Sequence, residues 1–144
     1  MIHELATVVL GPILWVQGRR VRRRVPRLPE ASGPRRVSVG AGRPIRILIA
    51  GDSAAAGVGA ATQDEALAGR VAAHLAGDFQ VTWQLEAKTG ATTADTLRRL
   101  DRLDPGRFDV LVTSLGVNDV TRGLGLTRWM EQQRELLALA RERF

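Results

Sequence analysis

The 144-residue sequence contains no cysteine, two histidines, His3 and His74, and a single lysine, Lys88. The absence of cysteine excludes a disulfide scaffold, thiol catalysis and thiolate metal sites. Two histidines are too few for a multi-histidine metal centre within one chain, so no metal is expected. The apolar segment at residues 5–16 falls short of the roughly 20 residues that cross a bilayer, and Gly11-Pro12 interrupts it. No internal repeat is present. What remains is 44% hydrophobic and 25% charged, the composition of an ordinary globular protein. The length suits one domain with a real core.

Positive charge is unevenly spread. Residues 1–46 hold ten arginines against Glu4 and Glu30, whereas the other 98 residues hold eleven cations against thirteen acids. The body is therefore mildly acidic and has no basic stripe with interleaved aromatics, so nucleic acid is not an expected partner.

The amino-terminal arm, residues 1–25, runs from Leu5 through an apolar segment into a cluster of arginines that ends at Arg24. A secretory signal carries its charge before the apolar stretch; here the charge follows, and a cytoplasmic location is expected. Two readings stand side by side. One is an interfacial anchor on an anionic membrane surface, with each arginine near the head groups contributing about 1 kcal/mol. The other is a helix packed on the body. Residues 26–44 contain four prolines and three glycines and read as a linker, which starts the folded domain, residues 45–144, near Arg43.

Residues 45–56, Ile-Arg-Ile-Leu-Ile-Ala-Gly-Asp-Ser-Ala-Ala-Ala, organise the rest. A β-branched run meets Gly51, two small polar residues and then alanines, which predicts strand, tight turn and helix with Ser53 at the strand's carboxyl end. Thr62 and Glu65 suggest a capping box, followed by a helix with Leu67, Val71 and Leu75 on one face. Phe79, Val81, Trp83 and Leu85 alternate with polar residues, predicting a half-exposed edge strand. Thr92 and Asp95 suggest a second capping box, followed by a helix through Leu97, Leu100 and Leu103 that halts at Asp104-Pro105-Gly106. Residues 109–115 form an almost continuous apolar strand of the kind buried on both faces. From about Thr127 a last helix places Trp129, Leu136, Leu137, Ala140 and Phe144 on one side.

The order β-α-β-α-β-α predicts a parallel sheet between helical layers. The third strand lacks anything to guard its unpaired backbone, so more chain or another subunit is expected to cover it.

Three predicted strand ends carry polar or glycine-rich turns: Gly51-Asp52-Ser53, the turn from Lys88 through Gly90 to Thr93, and Gly116-Val117-Asn118-Asp119. In a parallel sheet all three fall on one rim, where open α/β sheets bind ligands. A serine hydroxyl, a glycine N–H and an asparagine amide suit acyl transfer, which needs a nucleophile and donors for an oxyanion. Each also has a plainer role. Ser53 and Asn118 are turn formers, Gly90 supplies a positive φ, Asp52 accepts N–H bonds within its turn, and Asp119 braces its own. Gly51, Gly57 and Gly59 would also suit a phosphate, but their spacing fits neither dinucleotide nor Walker motifs.

Taken together, the three turns resemble the SGNH (GDSL-type) serine hydrolases, a family of esterases, lipases and lysophospholipases on a three-layer α/β/α, flavodoxin-like fold. The resemblance covers about residues 45–125. It implies Ser53 as nucleophile, the N–H groups of Ser53 and Gly90 and the Asn118 side chain as oxyanion hole, a small acyl ester as substrate, and no cofactor. The family's Asp-x-x-His block, which supplies the general base, is absent, and Gly-Asp-Ser-Leu is here Gly-Asp-Ser-Ala. His74 would lie about twelve residues along the first helix of the domain, roughly 18 Å from its start. The expectation is a truncated domain, competent only with further chain that supplies the base, and otherwise an inactive hydrolase-fold or membrane-associated interaction domain.

Overall fold

The computed structural model describes residues 2–144, with side-chain surroundings from Leu10 onward except at Arg22. The elements are α1 (Ile2–Arg24), β1 (Arg36–Val39), β2 (Arg43–Gly51), α2 (Leu67–Leu75), β3 (Phe79–Ala87), α3 (Thr93–Asp101), β4 (Val110–Ser114), α4 (Val117–Thr121) and α5 (Leu126–Arg143). The strands form one sheet in the order β1-β3-β2-β4. β2 lies parallel to both β3 and β4, and β1 runs antiparallel to β3.

Strand alternation divides the core into two layers. Ile47, Ile49, Val81, Trp83 and Leu85 face α2, whose Ala68 and Ala72 let it lie close to the sheet. Leu48 and Ala50 face the opposite way, towards Leu100 of α3 and Leu136 of α5. The result is an α/β/α sandwich. Val37, Trp83 and Ile47 stand in register across three strands. Trp83, 2% exposed, sits in the middle of that row, and burying a side chain of its class contributes roughly 1.5–3 kcal/mol or more.

Residues 26–44 are not a linker. Ala31 is buried, Ser32 bridges to Thr62, and Arg36–Val39 forms β1. Within the proline- and glycine-rich stretch, Arg-Val-Ser-Val has a period of two. Val37 and Val39 pack on the core while Arg36 faces out, and Ser38 Oγ meets Thr82 Oγ1 at 2.5 Å. β3 is consequently an inner strand, and the sheet is mixed rather than all parallel. A two-residue pattern in four residues is too short to stand out beside four prolines.

Four smaller expectations change. The first helix of the domain does not begin just after Ser53. Residues 52–66 form successive turns, and α2 starts at Leu67 with no side-chain cap, so the Thr62–Glu65 capping box is not formed. The buried Gln63 amide instead donates to the carbonyls of Ala31 and Ala56, and Gln63 O accepts from Gly69 N–H, tying this segment to residue 31 before a helix can propagate. In α1 the backbone stays helical through Gly11-Pro12, since proline removes only one rung of the ladder. Leu137 points out, 51% exposed. The inward face of α5 follows Gln132, Leu136, Leu139 and Phe144 at helical spacing instead. β4 is an edge strand and only half buried, with Val110 39% exposed.

The Thr92–Asp95 capping box forms as expected. Thr92 Oγ1 accepts from Asp95 N–H at 3.2 Å and Asp95 Oδ2 accepts from Thr92 N–H at 3.0 Å. The Thr92 N–H, and then its hydroxyl, hold the Asp95 carboxyl below its ordinary value.

Candidate active site

Gly51 pairs in register with Ala87 on one side and Ser114 on the other, so β2, β3 and β4 end level. Their following turns leave from one rim. Asp52 N–H donates to Ser114 O at 3.0 Å, and Lys88 N–H donates to Gly51 O at 3.1 Å, stitching the first turn to its neighbours. Only glycine fits at position 51, because an added Cβ would stand 2.5 Å from Ser114 O and 2.6 Å from Ala55 Cβ.

Beyond Gly51 the chain makes a single helical turn, with Ala56 N–H donating to Asp52 O at 2.9 Å and Val58 N–H to Ser53 O at 3.0 Å. Buried Asp52 keeps the turn closed by accepting Ala54 N–H on Oδ1 at 3.0 Å. Ser53 is thereby held half-exposed at the rim. Among the described residues neither its hydroxyl nor its N–H has a hydrogen-bond partner.

Asn118, in the single-turn helix α4, joins the three turns. Its Nδ2 donates to Ala91 O at 3.0 Å and more weakly to Asp52 Oδ2 at 3.4 Å. The 3.4 Å contact to Asp52 is the weaker of the two, so that hydrogen is the freer to meet another acceptor. Gly90 adopts φ +79°, the left-handed region that favours glycine. Like that of Ser53, its N–H has no partner among the described residues.

The Gly90 turn is pinned from three directions. Glu30 accepts Thr89 N–H at 2.7 Å and Thr89 Oγ1 at 2.8 Å. Arg122 Nη2 donates to Gly90 O at 2.9 Å, and Asn118 holds Ala91 O. Glu30 is fixed in turn by Arg35 Nη2 at 2.5 Å. Thr89 N–H above all keeps the Glu30 carboxyl below its ordinary value; burial, the next largest influence, opposes it, and the Thr89 hydroxyl and Arg35 add to the lowering. Sequence reasoning missed Glu30, Arg35 and Arg122, because their contacts span 59, 52 and 32 residues. No local pattern announces them.

Asp119 has a different task from its neighbour. At 2% exposed, it accepts Thr93 N–H at 3.1 Å and Thr93 Oγ1 at 3.0 Å. It therefore braces the first residue of α3, and through it the Gly90 turn, where bracing of its own turn was expected.

His74 lies exposed in the last turn of α2, five residues before β3 begins at the far end of the sheet. β3 has nine residues, so at about 3.3 Å per residue His74 stands roughly 25 Å from the rim. His3 lies outside the residues whose side chains are described.

The geometry thus gathers a free hydroxyl, two unpaired N–H groups and a carboxamide on one rim. A family model described as GDSL-like lipase/acylhydrolase matches residues 49–144. The chain belongs to that family. Among solved structures it is similar to the esterase AlinE4, described as an SGNH-hydrolase family esterase, at 26% identity and a TM-score of 0.58, and equally to a point mutant of the same esterase. The likeness covers 74% of this chain and 57% of that one, so the chain spans a little over half the esterase's length. No curated protein matches.

Proposed function

We propose that this chain carries the nucleophile and oxyanion donors of a carboxylic ester hydrolase. Ser53 Oγ would attack the acyl carbon of a small ester, passing its proton to a base. The carbonyl oxygen would gather charge facing the Ser53 and Gly90 N–H groups and the Asn118 amide. Collapse would expel the alcohol and leave an acyl-serine for water to release. No step calls on a cofactor. The observation that carries the reading is the meeting of the three turns around Asn118, since each turn alone has an ordinary structural explanation.

Turnover of short 4-nitrophenyl esters by the full-length protein tests it. Ser53→Ala is expected to lower kcat by at least about 10³-fold, in line with loss of a nucleophile, and equal rates in the two proteins would refute the assignment.

The position of His74 favours a second reading, an inactive hydrolase fold. No imidazole stands at the rim among the described residues; serine without a base is a poor nucleophile, and unless further chain supplies one, only the roughly 10³–10⁴-fold contribution of binding and oxyanion stabilisation would remain. Protein that shows no Ser53-dependent turnover would support it.

We further propose that the arm rests on an anionic membrane surface. No helix among the described residues is long and apolar enough to cross a membrane. Leu10, Ile13, Leu14, Trp15 and Val16 of α1 are all exposed, and Arg19 stacks 4.8 Å above the Trp15 ring ahead of Arg20, Arg23 and Arg24. Leu5 and Arg22 lie outside the residues whose side chains are described. Co-sedimentation with vesicles containing phosphatidylserine, lost at high salt or on replacing Trp15 and Leu14 with serine, is the expected result. Equal sedimentation with neutral vesicles would refute it.

A further inference from the structure

Beside Gly90 the surface opens into a cleft of about 710 Å³ between the end of β3 and the outer side of α3. Five cations line it: Lys88 from the end of β3, Arg98, Arg99 and Arg102 from α3 and its cap, and Arg122 from the end of α4. Two carboxylates oppose them. Asp95 pairs with Arg98 at 2.5 Å and with Arg122 at 3.8 Å, and Glu86 pairs with Arg99 at 3.5 Å. Lys88 and Arg102 have no ion-pair partner among the described residues, and the cleft keeps an excess of positive charge.

This concentration runs against the composition of the body. From residue 47 onward the chain has more acids than bases, yet five of its eleven cations, including its one lysine, line this cleft. Helical i,i+3 pairing accounts for Arg98 beside Asp95. It does not account for Lys88 and Arg122, which reach the same cleft from two other elements. Cations converging on a concave surface focus their field there and raise the local concentration of anions, and guanidinium groups bind carboxylate or phosphate oxygens in pairs. The wall nearest the rim is Gly90 and Ala91, the same backbone that offers the oxyanion N–H. An ester whose carbonyl lies at Ser53 would have to extend past Gly90 and Ala91 to place a further group in the cleft.

We propose that this cleft selects esters bearing an anionic oxyacid group, carboxylate or phosphate, with Lys88 and Arg102 as its free binding cations. The inference rests on the hydrolase reading of Ser53. It extends that reading from ester hydrolysis in general to negatively charged substrates. Most of the gain falls on KM, because the anion binds alike in ground and transition states.

The test compares matched esters on the full-length protein. The 4-nitrophenyl hemisuccinate and butyrate share an acyl length and differ in a terminal carboxylate. Acetylated glycerol 3-phosphate and glycerol monoacetate differ in a phosphate on the alcohol side. At low salt at least one anionic member is expected to show about tenfold higher kcat/KM than its neutral partner. The preference should shrink at 0.5 M salt, where the screening length is only a few ångströms, and should vanish in Lys88→Gln/Arg102→Gln. Restoring Arg102 as lysine should recover part of it. An arm independent of turnover titrates succinate and inorganic phosphate into Ser53→Ala protein by calorimetry; saturable binding is expected, and its loss on adding the Lys88 and Arg102 substitutions. Ser53-dependent hydrolysis without any anionic preference, and without saturable anion binding, would overturn this inference and leave the hydrolase reading standing. Saturable binding without Ser53-dependent hydrolysis would overturn the hydrolase reading, and the substrate assignment with it.

Discussion

The two edges of the sheet are finished to different degrees. At one edge β1 is four residues long, turns Arg36 outwards and closes on β3 through Val37 and Val39. Short strands and charged side chains are how proteins blunt an edge against unwanted pairing. The other edge is β4, whose outer backbone is unpaired in the sheet order and whose Val110 is 39% exposed. Phe108, Val110, Leu111 and Leu137 line an apolar groove beside it. The difference carries through to the site. The Gly90 turn is tied down from the β1 side by Glu30 and Arg35, whereas the Ser53 hydroxyl, between the two, meets no hydrogen-bond partner among the described residues.

The largest effect should come from the closed side. Trp83→Ala, in the row between Val37 and Ile47, is expected to cost about 3–5 kcal/mol by cavity formation. Val112→Ala, half-buried on β4, should cost only about 1 kcal/mol by loss of two partly buried methyl groups. Chemical denaturation of the two variants compares them directly, and similar losses would show that the β4 side is as well packed as the β1 side.

Next comes the tie itself. Glu30→Ala is expected to cost about 1 kcal/mol, the low end for charged hydrogen bonds at a partly exposed site, and to reduce kcat for esters through a looser Gly90 turn. The same residue carries a pH signature. Its folded-state pKa lies below the ordinary 4.5, so its contribution is fully present above that value and is lost as pH falls through the depressed one. Thermal unfolding of the wild-type protein should therefore steepen with acid below about pH 4.5. The Glu30→Ala variant should show a shallower fall, the remainder coming from groups such as Asp95, which is lowered for a similar reason. Parallel curves for the two proteins would remove Glu30 from this role.

The smallest effect is expected at the open edge. Val110→Lys should change the stability of residues 1–144 by no more than about 0.5 kcal/mol, as for an ordinary surface position. A loss of several kcal/mol, dependent on protein concentration, would mean that another copy covers β4 in solution and that the contrast between the edges disappears.

How far the molecule could be read in advance depended on the range of each interaction. β2, β3 and β4, together with α3 and its capping box, rest on periodicity and on residues three apart, and these are visible in one dimension. The same holds for the Asx turn at Asp52. β1 was hidden because Arg-Val-Ser-Val acquires meaning only when β3 lies beside it. The Thr62–Glu65 signal misled because Gln63, whose partners lie 32 and 7 residues away, decided that segment instead. Leu136 and Leu137 cannot be told apart in one dimension; only the sheet selects which side of α5 turns inward.

The layered α/β class, the tight turn that carries Ser53 and the family were all legible in one dimension, because strand ends marked by Gly-Asp-Ser, a glycine turn and Gly-x-Asn-Asp are local features. Tertiary structure alone decided that residues 26–44 build an edge strand and an anchor for the Gly90 turn, that Asp119 serves α3, and that five scattered cations share one cleft. Those are matters of which distant segments become neighbours, and that is settled only when the sheet assembles and the buried polar groups must find partners.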